Sequence, residues 1–139
     1  MDRLFLDANV LFSAAYKINA RLLGFWSLRD VTLCSSCYAL EEARINLDDE
    51  DQRMRLVKLA GSLQLFEARQ TQLPPGISLP EKDIPILLAA FEARATHLLT
   101  GDVRDFGGYF GKKIKGIEIA PPGQYLRNLI ADSGSISER

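Results

Sequence analysis

The strands this sequence encodes are short, apolar and spaced far apart, and that limits what the chain can fold into. Residues 3–6 place Leu4, Phe5 and Leu6 in a row, and residues 97–100 place Leu98 and Leu99 together before Thr100. A strand with one wet face alternates polar with apolar, so an unalternated run is buried on both faces. Further strand candidates lie at residues 31–33, 63–66 and 117–119. Helical patterns fill the intervals. Residues 10–16 follow Asn9, a plausible N-cap, and residues 22–28 are rich in apolar side chains. Residues 37–47 follow Ser35 and Ser36, either of which can cap, and an acidic run at 48–51 suits the start of a helix reaching Ala60. Residues 83–95 form the strongest pattern, with Pro85 in the first turn, where its missing N–H costs little. Residues 106–116 read as a Gly-rich loop, and Pro121-Pro122 open a last helix. Strands alternating with helices give a parallel sheet covered on both faces. The expectation is one α/β domain, a three-layer α/β/α sandwich around a short parallel sheet, over residues 1–131. A Ser-rich, flexible tail is expected over residues 132–139.

Composition narrows the function classes. At 139 residues and 47% apolar, the chain suits one domain with a real core. No apolar run approaches the roughly 18 residues of a membrane span, and the opening residues lack a signal-peptide stretch, so a cytoplasmic protein with no membrane partner is expected. Lys plus Arg number 17 against 18 Asp plus Glu, a net charge of −1. That balance leaves nucleic acid open, because basic residues cluster locally and bound cations add positive charge. Cys34 and Cys37 form a C-x-x-C, which reads as a redox pair, half a zinc site or two reduced, mostly packed thiols. His97 is the one histidine, so a zinc site lacks partners and the packed reading is preferred.

Phosphate-binding glycine motifs and the G-x-S-x-G elbow are absent, and Ser-His-Asp chemistry would rest on His97, which leads into an apolar strand. Carboxylates stand instead at element ends. Asp7 follows the first strand, Asp102 follows the fourth with Asp105 three residues on, and Asp83 opens the strongest helix. Glu41 and Glu42 lie inside the helix at 37–47. Each has an ordinary alternative: a turn, an N-cap or a solvated helix face. In an open parallel sheet, however, strand ends share one edge, with a crevice where strand order reverses. Carboxylates gathered there raise one another's pKa, and a hard divalent cation relieves the repulsion. Such a centre suits phosphodiester chemistry.

In their order, these residues resemble the PIN-domain family over about residues 3–129. Leu4-Phe-Leu-Asp7-Ala-Asn9-Val-Leu-Phe12 is similar to its first motif, and Ala39-Leu-Glu-Glu42-Ala-Arg-Ile-Asn-Leu47 to its acidic helix. Asp83-Ile-Pro-Ile-Leu-Leu-Ala-Ala90 and Leu98-Leu-Thr-Gly-Asp102-Val-Arg-Asp105-Phe106 are similar to the third and fourth. The resemblance implies a PIN-like sandwich and a Mg²⁺- or Mn²⁺-dependent ribonuclease. Many small bacterial members are toxins of toxin–antitoxin pairs (the VapC type), often homodimeric and silenced by an antitoxin. Carried onto this chain, Asp7, Glu42, Asp83 and Asp102 would be catalytic metal-binding acids, with Asp105 an accessory acid and further ligand. Asn9 and Thr100 would orient carboxylates. The choice between Glu41 and Glu42 stays open. Arg104, Lys112, Lys113 and Lys115 are candidate contacts to an RNA substrate, the three lysines alternatively a solvated loop tip. Tyr109 and Phe110 suit packing better than base stacking. Leu22, Leu23, Phe25 and Trp26 offer apolar surface for a dimer or antitoxin, or for the core. Rival readings are a non-catalytic PIN-like interaction module and a metal-dependent phosphatase with Asp7 as acceptor. The phosphatase would want an acid at position 9, where Asn9 stands.

Overall fold

The computed structural model describes residues 1–137, with side chains through residue 129. At its centre is β1 (Asp2–Leu6), whose last three residues are fully buried, as an unalternated strand requires. Parallel pairing joins β1 to β2 (Val31–Ser35) on one side and to β4 (His97–Leu99) on the other. Beyond β2 lies β3 (Gln64–Leu65), and beyond β4 lies β6 (Ile117–Ala120). With β5 (Lys113–Ile114) at the far edge, the order is β3-β2-β1-β4-β6-β5. The chain steps outward from β1 to β3, then crosses back to β4, so strand order reverses between β1 and β4.

Helices fill the crossovers. α1 (Ala8–Tyr16) and a 3₁₀ segment, Arg21–Ser27, connect β1 to β2. α2 (Cys37–Asn46) and α3 (Glu50–Ala60) connect β2 to β3. α4 (Ile84–Glu92) makes the return to β4. Right-handed crossovers put the outward set on one face and α4 on the other. α1 packs on α2 and α3, whereas α4 packs on β2 and α2. The short α5 (Val103–Phe106) follows β4, and α6 (Pro122–Ser137) follows β6 and packs on the 3₁₀ segment. Phe5, Phe25, Phe106, Leu11, Leu87 and Ile119 are among the fully buried side chains of this α/β/α sandwich.

Local chemistry corrects several expectations. Asp7, not Asn9, caps α1: its backbone is extended and its carboxylate accepts from the Ala8 N–H. Asn9 sits inside the first turn, with its amide free for other bonds. Ser36 is the cap of α2, accepting from Ala39 N–H at 3.1 Å. Asp49 starts α3 with a capping box to Gln52, slightly later than the acidic run suggested. The segment expected as a helix over 22–28 is a 3₁₀ helix at Arg21–Ser27, with Gly24 in its middle disfavouring a regular α-helix. α4 stops at Glu92, and Arg94 turns left-handed at φ 52°. The expected loop at 106–116 contains β5 (Lys113–Ile114), antiparallel to β6, so the sheet has six strands and is not wholly parallel. Lys115 and Gly116, at φ 47° and 86°, form the two-residue turn with two positive φ values that a tight hairpin favours. Cys34 is buried and Cys37 is exposed, so one thiol of the pair is not packed. The backbone of α6 reaches Ser137; the tail expected over residues 132–139 otherwise lies outside the described residues.

Candidate functional site

The register of β1 with β4 brings the first acid to the reversal point. Leu6 pairs with Leu99, so Asp7 and Thr100 come next on adjacent strands, and Asp7 N–H donates to Leu99 O at 3.1 Å. Asp7 is 3% exposed. Its carboxylate accepts from Ala8 N–H (2.6 Å), Thr100 O–H (2.8 Å) and the Asn9 amide (3.2 Å). The Asn9 amide oxygen in turn accepts from Gly101 N–H at 2.7 Å, and Thr100 Oγ1 accepts from Asp102 N–H at 3.1 Å. Gly101 permits this closeness, because a Cβ there would stand 3.3 Å from Asn9 Oδ1. Asp7 is thus held from several sides. Burial pushes its carboxyl up despite these bonds, and the charges of Glu42 and Asp102 add to the rise.

Asp83 ends a 3₁₀ turn, Glu81–Asp83, whose backbone closes through Asp83 N–H to Pro80 O at 2.9 Å. It stands at the start of α4 without capping it through its side chain. The residue is 5% exposed, and Oδ2 has no hydrogen-bond partner among the described residues. Burial first, then the neighbouring Asp105 carboxyl, pushes Asp83 up to about 7. Asp102 caps α5, accepting from Asp105 N–H at 3.0 Å. One carboxylate oxygen from each of Asp83, Asp102 and Asp105 lies within 4.8 Å of the others. Asp105 is held below its ordinary value by its bond with Asp83 and by Lys82.

Glu42 and Glu41 part company on α2. Glu42 faces the crevice. Glu41 points into solvent and pairs with Arg44 one turn on. The crevice encloses about 580 Å³ and is walled by Asp7, Asn9, Phe12, Glu42, Asp83 and Asp102, with Lys82 and Asn46 at its margin.

Lys82 is a functional candidate that sequence reasoning missed. Its ammonium lies 3.2 Å from Asp105, 3.8 Å from Asp83 and 4.0 Å from Asp102. The only signal in the sequence was its place directly before Asp83, and nothing in a loop composition marks such a lysine. Tyr38 O–H donates to Lys82 O at 2.8 Å and fixes that turn to α2.

The basic candidates disperse. Arg104 is exposed on α5, between Asp102 and Asp105 in sequence. Lys112, Lys113 and Lys115 do not wall the crevice. Lys113 pairs in register with Glu118, which is level with the first residue of β4, and Lys115 stands at the hairpin tip beyond. Both therefore lie toward the edge from which β4 and β6 start. Tyr109 and Phe110 pack half-buried on the core, and Tyr109 O–H donates to Ser78 O at 3.1 Å. Phe25 is buried in the core, while Leu22 and Trp26 pack against it, with the Trp26 indole N–H on Leu59 O at 3.0 Å.

The donor set fits a hard cation. It consists of carboxylate oxygens, and the buried Asp83 Oδ2 accepts no hydrogen bond among the described residues. The ammonium of Lys82, 62% exposed along its side chain, supplies some of the missing charge and has room to move aside.

A solved structure of similar fold is that of FitAB bound to an IR36 DNA fragment. It matches with a TM-score of 0.50 and 17% identity, covering 86% of this chain and 94% of that one. The fold is PIN-like. At that identity the likeness concerns the fold alone. No protein-family model and no curated protein matches the chain. Among the described residues, no helix is long and apolar enough to cross a membrane.

Proposed function

We propose that this protein is a Mg²⁺- or Mn²⁺-dependent endoribonuclease and the toxin of a toxin–antitoxin pair. One observation carries the nuclease reading: buried Asp83 gathers with Asp102 and Asp105 at the reversal point of a PIN-like sheet, and its Oδ2 has no hydrogen-bond partner among the described residues, only the Lys82 ammonium 3.8 Å away. Asp83, Asp102 and Asp105 would hold the ion, and Asp7 and Glu42 complete the acidic wall. A bound ion supplies Lewis acidity at the scissile phosphate and a more acidic water. The chain's own part is positional. Asn9 and Thr100 each donate to Asp7, and Asn9 also donates to Thr100, so the carboxylate is fixed before substrate arrives. Phe12 and Ala43 give the crevice part of an apolar wall. Arg104, exposed on α5 between Asp102 and Asp105 in sequence, would meet phosphate oxygens of the bound strand. An antitoxin partner and a homodimer belong to the same reading and rest on the family resemblance.

A second reading has one observation in its favour. Lys82 already brings a positive charge into the acidic cluster, which suits a binding module that needs no ion. The phosphatase reading loses ground, because Asp7 is buried and both its oxygens are engaged. The test is cleavage of single-stranded RNA by rigorously purified protein in Mn²⁺, Mg²⁺ and EDTA. Cleavage that requires the metal is the expected result. Silence together with no Mn²⁺ binding by calorimetry would favour the binding module.

A further inference from the structure

At the opposite edge of the sheet lies a second cleft of about 640 Å³. It is bounded by the C-terminal end of α4, the β5–β6 hairpin and the loop of residues 70–75. Arg94 and Lys115 both line it, and among the described residues no acidic side chain does. Among the described residues neither cation has an ion-pair partner.

The backbone beneath these two cations is unusual. Arg94 and Lys115 are the two non-glycine residues with positive φ in the described chain, at 52° and 47°. Glycine is the residue of choice just past a helix end, and Asn-Gly is the pair of choice in a two-residue hairpin. At each position the chain carries a cation where the backbone alone favours Gly or Asn. Both departures from the local optimum put positive charge beside the same cleft. Backbone strain that a fold tolerates is concentrated where side chains have work to do. Gln70 and Gln72 add amide donors and acceptors, and Phe91 adds a half-buried aromatic ring.

We propose that this cleft binds the sugar-phosphate backbone of single-stranded RNA, as a second contact for the strand that enters the acidic crevice. The inference rests on the ribonuclease reading. α4 spans the two sites: Asp83 opens it and Arg94 follows its end, roughly 16 Å apart at 1.5 Å per helical residue. One strand passing along that side of the domain reaches both. The acidic crevice alone repels a polyanion, and two cations at the far edge offset that repulsion without adding positive charge where an ion is to be held.

The test is binding of a fluorescent single-stranded RNA to the full chain in EDTA, where cleavage is arrested. The double variant Arg94→Gly with Lys115→Asn is compared with wild type and with Lys58→Gln on α3. The double variant is expected to bind about tenfold more weakly at low salt. The slope of log affinity against log salt should shrink by about 1.4, as two phosphates are no longer neutralised. Its Tm should equal or exceed that of wild type, because Gly and Asn relieve the positive φ. Lys58→Gln should bind like wild type. Unchanged affinity in the double variant, equal loss in Lys58→Gln, or no RNA bound by wild type would overturn the proposal. The ribonuclease reading is decided apart from this, by metal-dependent cleavage at saturating RNA.

Discussion

Where β1 and β4 end, the crevice is walled by Asp7, Glu42, Asp83 and Asp102, and Lys82 lines it with them. Where β4 and β6 begin, the second cleft is walled by Arg94 and Lys115 and, among the described residues, by no acid. The two places also differ in construction. Asp7 is buried and tied by hydrogen bonds from Ala8, Asn9 and Thr100. Arg94 and Lys115 are exposed side chains on a backbone bent into the left-handed region. Fixed, desolvated carboxylates suit chemistry, where a small displacement costs rate. Exposed cations suit a flexible polyanion. A net charge of −1 conceals this local difference between the two clefts.

The comparison breaks most severely at Asp7. Asp7→Asn keeps the volume and removes the charge, so cleavage should fall by roughly 100-fold or more while circular dichroism stays that of wild type. Wild-type turnover in that variant would remove Asp7 from the site.

Asp83 offers a test through stability. Its folded value, about 7, lies above its ordinary 3.8. Between those values the folded state keeps a proton the unfolded state has released. Metal-free stability therefore falls as pH rises from about 4 to about 7, by at most a few kcal/mol. Asp83→Asn should flatten that slope in urea titrations in EDTA, and should gain on wild type more at pH 8 than at pH 5. A slope unchanged by the substitution would mean that Asp83 is not the buried titrating group.

Lys82→Ala sharpens the contrast in a smaller way. Removal of the ammonium beside Asp83 and Asp105 should tighten Mn²⁺ binding by a few-fold in calorimetry, since an exposed charge pair is worth about 1 kcal/mol or less. Weaker binding would instead make Lys82 part of the ion's support. The smallest effect is expected at the cysteines. Cys34→Ser with Cys37→Ser should leave cleavage within a few-fold, because Cys37 is exposed and Cys34 packs away from both clefts. Any cost should appear in Tm, from a hydroxyl buried at position 34.

The sheet was legible because β1 and β4 carry unalternated apolar runs, and the crevice followed from where acids stand after them. Residue 42 was not separable from residue 41 by sequence, since both lie off the apolar face of α2. Three dimensions separate them through Arg44, which captures Glu41. Lys82 was invisible for a different reason: its place depends on the turn of residues 81–83, fixed from afar by Tyr38. β5 hid in a Gly-rich segment because two residues of strand carry no periodicity, and its turn uses Lys115 where Asn would have signalled a hairpin. The basic cleft was divided between two segments that sequence does not connect. Arg94 ends one helix and Lys115 tips a hairpin about twenty residues later.

The most direct measurement is the steady-state cleavage of one single-stranded RNA in Mn²⁺ by wild type, Asp7→Asn and the Arg94→Gly, Lys115→Asn double variant, with EDTA controls. Asp7→Asn is expected to lose kcat and not to be rescued by saturating RNA. The double variant is expected to lose kcat/KM about tenfold through KM and to recover at saturating RNA. Metal-independent cleavage, or an Asp7→Asn variant that turns over like wild type, would contradict the central claim that the acidic edge does the chemistry.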